Sequence, residues 1–103
     1  MEFTVTTNEN GGRITAIDND TEKGFIKLVK RGESVIDAVS TQVPSEFGGQ
    51  GIGKALIVKL IDHARSNGLT VIATCPFIKV YFEKNRDDVL DVWHNPPEQS
   101  EQA

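Results

Sequence analysis

Apolar and polar residues alternate through the first forty positions of the chain and then change period. In "EFTVTT" Phe3 and Val5 stand among polar neighbours, and in "RITAID" Ile14 and Ala16 do. A period of two belongs to a strand with one face covered. "FIKLVK" reads as a third strand, with Phe25, Leu28 and Val29 as expected core residues, and "SVIDAVSTQV" as a longer, β-branched fourth. Between them lie "NENGG", "NDTEKG" and "RGE", segments of turn chemistry. The pattern predicts a meander of four antiparallel strands.

From Gln50 to Asn67 the period becomes helical. Ile52, Leu56, Ile57, Leu60, Ile61 and Ala64 gather on one half of a helix, and Lys54, Lys59, Asp62, Arg65 and Ser66 on the other, with Ala55 and Val58 as exceptions. Gly68 is placed to end it as a C-terminal glycine cap. "LTVIAT" predicts a fifth strand, parallel to the fourth because a helix intervenes. "CPFIKVYFEKN" predicts a helix with Pro76 in its first turn. "RDDVLDVW" reads as a short helical or extended piece that brings Trp93 to the core as a capping aromatic. "HNPPEQSEQA" has no hydrophobic content and reads as a disordered tail. The expectation is one α/β (α+β) domain over residues 1–93 and a tail over 94–103.

Composition narrows the function classes. A chain of 103 residues suits one modest core. A net charge of −4 speaks against nucleic acid as a partner, since neutralising phosphates needs a basic face. Lys27, Lys30 and Arg31 form only a small, solvated basic cluster. Cys75 is the single cysteine, which excludes an intramolecular disulfide and fits a reducing compartment. No apolar run reaches membrane-spanning length, and the start lacks the layout of a secretion signal. The expected location is cytoplasmic, with no membrane partner.

The chemistry concentrates in "VPSEFGGQGIGKALIVKL", where Gly49, Gly51 and Gly53 precede or open a helix that they weaken. The first amides of a helix lack partners and carry partial positive charge, so anions bind there. Glycines before such an end let the backbone approach a phosphate. Gly49, Gln50, Gly51, Ile52 and Gly53 therefore read as a pyrophosphate cradle, with Lys54 adding a cation. A glycine-rich connection that serves only a tight turn is the alternative. The segment is not a P-loop, because Ala55 stands where a magnesium-binding hydroxyl is needed. It does not suit a dinucleotide-binding Rossmann unit either, because a meander comes first.

The stretch Gly48-Gly49-Gln50-Gly51-Ile52-Gly53 resembles the acetyl-CoA signature Arg/Gln-x-x-Gly-x-Gly/Ala of the Gcn5-related N-acetyltransferase superfamily. "STQVP", "GQGIG" and "CP" are similar to the pattern of its small, minimal subfamily, from about the second strand to Trp93. The resemblance implies a mixed, mostly antiparallel sheet of about five strands with two or three helices, and a V-shaped splay between strands four and five after about Thr41. It also implies acetyl-CoA or CoA as cosubstrate. The amides of Gly49 to Lys54 would hold its pyrophosphate, and main-chain groups around Gln42 and Val43 its pantetheine. The thioester would point toward Thr74 and Cys75. Two positions depart from the pattern. Gly48 replaces the Arg or Gln, and Ser40 replaces the subfamily's proposed catalytic histidine.

Cys75 is the candidate catalytic residue. It ends a strand before a helix N-terminus, a setting that lowers thiol pKa, and it could accept the acetyl group or protonate the CoA thiolate. An inert buried cysteine is the alternative. Matching "FEK" to the superfamily's Tyr-Glu-Lys puts Phe82 on the tyrosine position and Tyr81 a 100° turn away. Tyr81 then reads as a packing aromatic. Asp37 could be a base if buried in the cleft, and by period two it shares a face with Val35, Val39 and Thr41; the strand there is expected to be partly wet. His63 and His94 read as partly exposed and solvated, and no metal set is expected. The expected function is acetyl-CoA-dependent N-acetyl transfer to an amine. The alternatives are a CoA- or acyl-CoA-binding module with little catalysis, marked by Ser40 and Gly48, and a protein-interaction domain. The acidic balance hints at a cationic acceptor. The chain could act as monomer or homodimer.

Overall fold

The computed structural model describes residues 1–97. Five strands form one sheet in the order β1-β2-β3-β4-β5: β1 Glu2–Asn8, β2 Gly11–Asp18, β3 Thr21–Gly32, β4 Val35–Gln42 and β5 Thr70–Ala73. The first four form an antiparallel meander, and β5 lies parallel to β4. The helices are α1 Ile52–Ser66, α2 Pro76–Lys84 and α3 Arg86–Val89, with a 3-10 turn at Ser45–Phe47. The fold is the mixed, mostly antiparallel sheet expected.

Local chemistry explains the strand lengths. Asn19 and Asp20 both take positive φ, 52° and 62°, so the β2–β3 hairpin closes in two residues and β3 begins at Thr21, ahead of the apolar run. α1 begins at Ile52, two residues after the periodic pattern opens. Gly49 and Gly51 sit in the left-handed region at φ 77° and 76°, which keeps the chain out of the helix until then. At the other end Leu69 N–H bonds the Ala64 carbonyl at 2.8 Å across Gly68, itself at φ 65°, a Schellman-type closure.

α1 packs on β2 and β3, and α2 on β4 and β5, side by side on one face of the sheet. Ile14, Ala16, Ile26, Leu28, Ile36, Ala38 and Val71 from the sheet meet Leu56, Ile57, Leu60, Ala64, Ile78 and Phe82 from the helices in one buried cluster. Phe25 and Val29 are not in it. Ile26 and Leu28 turn toward the helices, so the residues between and beside them face the other way. Arg13 lies over the Phe25 ring on that opposite face, 3.6 Å from its centroid.

The outer edge of β5 is closed by the chain's return. Val71 N–H bonds the Val92 carbonyl and His94 N–H bonds the Val71 carbonyl, beside a parallel bridge from Val71 to Trp93. Trp93 is buried, with its ring edge-on to Phe82 at 5.5 Å. His94, expected to be solvated, is half-buried with Nδ1 3.0 Å from Thr70 Oγ1. Of the expected tail, residues 98–103 lie outside the described residues.

Arg65 ties α1 to the segment after α3 by two bonds to the Asp91 carboxylate, 2.7 and 3.0 Å, and one to the Asp88 carbonyl. The hydrogen bond from Arg65, with its charge adding, holds the Asp91 carboxyl below the usual carboxylate range. A carboxyl lowered in the folded state contributes stability above its unfolded value, and that contribution disappears as pH falls through the folded value. Asp91→Asn is therefore expected to be slightly less stable than wild type at neutral pH. The difference should close below about pH 4, as urea unfolding at a series of pH values would read. A gap that persists in acid would contradict the assignment.

Candidate functional site

β4 and β5 part at a defined place. Their pairing runs from Val35–Thr70 to Ala38–Ala73, and Cys75 N–H adds a bond to the Ala38 carbonyl at 2.9 Å. Beyond Ala38, residues Val39 to Gln42 pair with β3 alone. The splay thus opens three residues before Thr41, where it was expected. The cause is a β-bulge: Leu28 pairs with Ala38 and Lys27 with Ser40, leaving Val39 extra. A bulge bends its strand and ends regular pairing, while Pro76 starts α2 and takes the other strand away.

The bulge also changes which side chains share a face. Thr41 pairs with Ile26, so it faces the helices with Ala38, and not with Asp37 as period-two counting expects. Asp37 pairs with Val29 on the opposite face and is 5% exposed there, not wet. Arg31 Nε donates to its carboxylate at 3.0 Å and the Thr74 hydroxyl donates to the other oxygen. Ser40, opposite Lys27, lies on that face too.

On the helix side the splay leads into a cleft of about 400 Å³. Its walls are Thr41 and Val43 from the end of β4, Phe47 from the 3-10 turn, Gly48, Gly49 and Gly51, Ile52, Gly53 and Lys54 from the start of α1, and Phe77 from α2. The glycines serve different ends. Gly49 and Gly51 hold left-handed φ with open space where a side chain would stand. Gly53 is helical, and a Cβ there would lie 2.8 Å from the Phe77 ring. Gly48 is extended at φ −66°, a conformation open to any residue, and a Cβ there would lie 3.2 Å from the Ser45 carbonyl. The first intrahelical bond is Ala55 N–H to the Gly51 carbonyl at 3.0 Å. Among the described residues no side chain caps the helix, and its first turn holds no acidic residue. The free amides of Ile52, Gly53 and Lys54, with the Lys54 ammonium, make this end of the cleft receptive to an anion.

The structure thus brings Val43, Gly49, Gly51, Ile52, Gly53 and Lys54 together. Gln50 is exposed and forms no part of the wall. Nor does Gln42, whose carbonyl turns to β3, where a Cβ on Gly24 would be 2.8 Å from it. Successive residues of a strand present their main-chain groups to opposite edges, so Thr41 and Val43 offer theirs to the cleft. Cys75 caps α2, buried behind the cleft, with Sγ 3.4 Å from Thr41 Oγ1. Thr41 therefore joins the thiol to the cleft wall. Tyr81 lines a different hollow, between α1 and α2, with Val58, Asp62 and Arg65. His63 lies half-buried beside Asn67, with Nδ1 3.3 Å from Nδ2, in a hollow lined by Asn8, Lys30 and Glu33. Among the described residues no His, Cys, Asp and Glu side chains gather as a metal site, and no helix is long and apolar enough to cross a membrane.

The sequence reading missed Thr41, Phe47 and Phe77. Thr41 sits one place before a residue that was singled out, and the bulge at Val39 decides which of them faces the cleft. Phe77 reaches it only through the packing of α2 on Gly53.

A mixed sheet splayed at its parallel pair, with a glycine loop and an uncapped helix end at the mouth, is the layout of the acetyltransferase class. The chain matches the family model of the GCN5-related N-acetyl-transferases over residues 13–92. It belongs to that family. A GCN5-like protein from Staphylococcus aureus, known from its solution structure, is 31% identical. That match covers 93% of this chain and 92% of the other with a TM-score of 0.67. The ribosomal-protein-alanine N-acetyltransferase of Brucella melitensis biovar Abortus is similar in fold at 20% identity and TM-score 0.63, over 75% of this chain and 62% of its own. An aminoglycoside N-acetyltransferase solved in complex with CoA is similar in fold at 15% identity and TM-score 0.55, over 88% and 73%.

Proposed function

We infer that this chain transfers the acetyl group of acetyl-CoA to an amine. The observation that carries the reading is the continuity of the cleft from the free α1 amides to Thr41, behind which Cys75 lies. The donor-only end suits a diphosphate: main-chain N–H groups, the Lys54 ammonium, and no carboxylate in the first turn. The main-chain groups of Thr41 and Val43, left without a β5 partner, suit the amides of pantetheine. That run leads the thioester toward Cys75.

In the reaction a neutral amine attacks the thioester carbonyl carbon. A C–N bond forms and the C–S bond breaks; the nitrogen sheds one proton and the departing CoA thiolate takes one, so a thiol that protonates the thiolate is restored by the proton the amine releases. The Cys75 thiol, held by Thr41 at 3.4 Å, is the side chain at hand to give that proton or to carry the acetyl group between the two partners. Phe82 fills the position of the usual tyrosine acid with a ring that is fully buried and has no hydroxyl. The sheet face opposite the helices, where Ser40 is half-buried, leaves an approach for the amine.

Intact-mass measurement after incubation with acetyl-CoA tests the role of Cys75. Cys75→Ala is expected to cut turnover of an amine panel by about 100-fold, with folding and CoA affinity retained. A single acetyl group on wild type that is absent from Cys75→Ala assigns the covalent route; turnover without that adduct assigns direct attack, with the thiol as proton donor. CoA binding with no turnover of any amine by wild type would instead favour the CoA-binding module.

A further inference from the structure

The α1 end supplies the cleft with only one charged wall residue, Lys54, whereas CoA brings a diphosphate and a 3′-phosphate. A second cation stands at the mouth on another element. Lys23 Nζ lies 3.8 Å from the centroid of the Phe47 ring, and Phe47 is a wall of the cleft. We propose that Lys23 is a phosphate-binding residue for CoA, reaching the cleft from the start of β3.

Two features of the backbone aim it there. In the β2–β3 pairing Ala16 is opposite Gly24 and Ile17 opposite Glu22, so Lys23 is the extra residue of a bulge. A bulge redirects the side chain it carries. The next residue, Gly24, lies directly under the cleft: a Cβ there would be 3.0 Å from Val43 Cγ2 and 3.5 Å from Ile52 Cγ2. The start of β3 is thereby pressed against two wall residues.

Lys23 is also uncommitted. Among the described residues its ammonium has no carboxylate within 4.0 Å, and the neighbouring Glu22 carboxylate is turned to Arg13 at 4.0 Å. Glu46, exposed on the 3-10 turn, forms no ion pair with it. The aromatic face holds the charge without neutralising it. An ammonium kept in place and unpaired beside an anion-receptive helix end is suited to a phosphate oxygen.

The inference rests on the cleft holding CoA, and calorimetric titration of the whole chain separates the two claims. Wild type, Lys23→Met and Lys23→Arg are titrated with CoA and with dephospho-CoA, which lacks the 3′-phosphate. Lys23→Met is expected to weaken CoA roughly tenfold, and Lys23→Arg to restore most of the affinity. Weakening for CoA but not dephospho-CoA assigns the 3′-phosphate to Lys23, and equal weakening for both assigns the diphosphate. Unchanged affinity for both ligands overturns the role of Lys23 and leaves the cradle standing. No binding of either ligand by wild type overturns the cradle reading and this one with it. If Lys23→Met alters the circular dichroism of the fold, Lys23→Gln takes its place in the same titration.

Discussion

If the cleft holds acetyl-CoA as proposed, Gly51→Val should leave a folded protein that binds it far more weakly. Gly51 is the N-cap of α1 at φ 76°, ψ 14°. An L-residue with a Cβ pays roughly 1–2 kcal/mol to enter that region, and a β-branched one more. Nothing lies within 4 Å of the missing side chain, so the cost is one of backbone conformation, not of collision. The loop can relieve it only by turning away from left-handed φ, and that turns the amides of Ile52, Gly53 and Lys54. We expect a loss of about 1–3 kcal/mol in urea unfolding. Acetyl-CoA binding by calorimetry should weaken by about 100-fold, because losing one or two hydrogen bonds from these amides to a charged phosphate costs about 3 kcal/mol. Gly51→Asn is the control, since asparagine enters the left-handed region readily; it should keep affinity within a few-fold. Equal binding by wild type and Gly51→Val would mean that the glycine serves only the turn.

What the sequence could and could not say follows from which interactions are local. The alternation of Ile14 with Ala16 and the helical spacing of Leu56, Leu60 and Ala64 are each set by one face of one element, and all five residues are buried as read. The order of elements, the parallel fifth strand and the glycine loop were legible for the same reason. The bulges at Lys23 and Val39 were not. A bulge adds one residue to one strand of a pair, and nothing in "TEKGFIK" or "VIDAVSTQ" says which residue the partner will skip. Counting by twos across Val39 placed Thr41 on one face with Asp37, and the bulge separates them. The splay and the Gln42 contact were carried over from the resemblance, which does not give the register of this sheet. The Phe25 and Val29 assignments failed differently. In an apolar run both faces look alike, and only the helices show which is the inside.

The departures from the family pattern gain meaning in the same way. The φ of Gly48 does not require glycine, so the family's Arg or Gln is missing there for no conformational reason, and Lys23 lies over the ring of the neighbouring Phe47. Ser40 lies on the open sheet face, away from the helix-side wall where Thr41 meets Cys75. A histidine at position 40 would therefore act from the sheet face opposite the helices, the side from which the amine is proposed to approach.

Phe82→Ala should be among the most destabilising single changes in the chain. The ring is fully buried and stands edge-on to Trp93 at 5.5 Å, with an interplanar angle of 79°. Truncation removes the apolar burial and leaves a cavity, together about 3–5 kcal/mol, against a total of about 5–15 for a domain of this size. At roughly 4–8 °C per kcal/mol the melting temperature should fall by about 15–30 °C. The loss extends beyond α2, because Trp93 belongs to the segment that closes the β5 edge through Val92 and His94. Trp93→Ala should therefore be non-additive with Phe82→Ala, by about 0.5–1.5 kcal/mol in a double-mutant cycle; strict additivity would deny the coupling. The same burial decides the chemistry. Phe82→Tyr would restore the usual tyrosine but put its hydroxyl into a core where a partner must be found, at a cost of about 1–3 kcal/mol if none is. It should lower stability without raising turnover, because at this position the ring faces Trp93 and the core, while the cleft wall is built by Phe77 and Thr41.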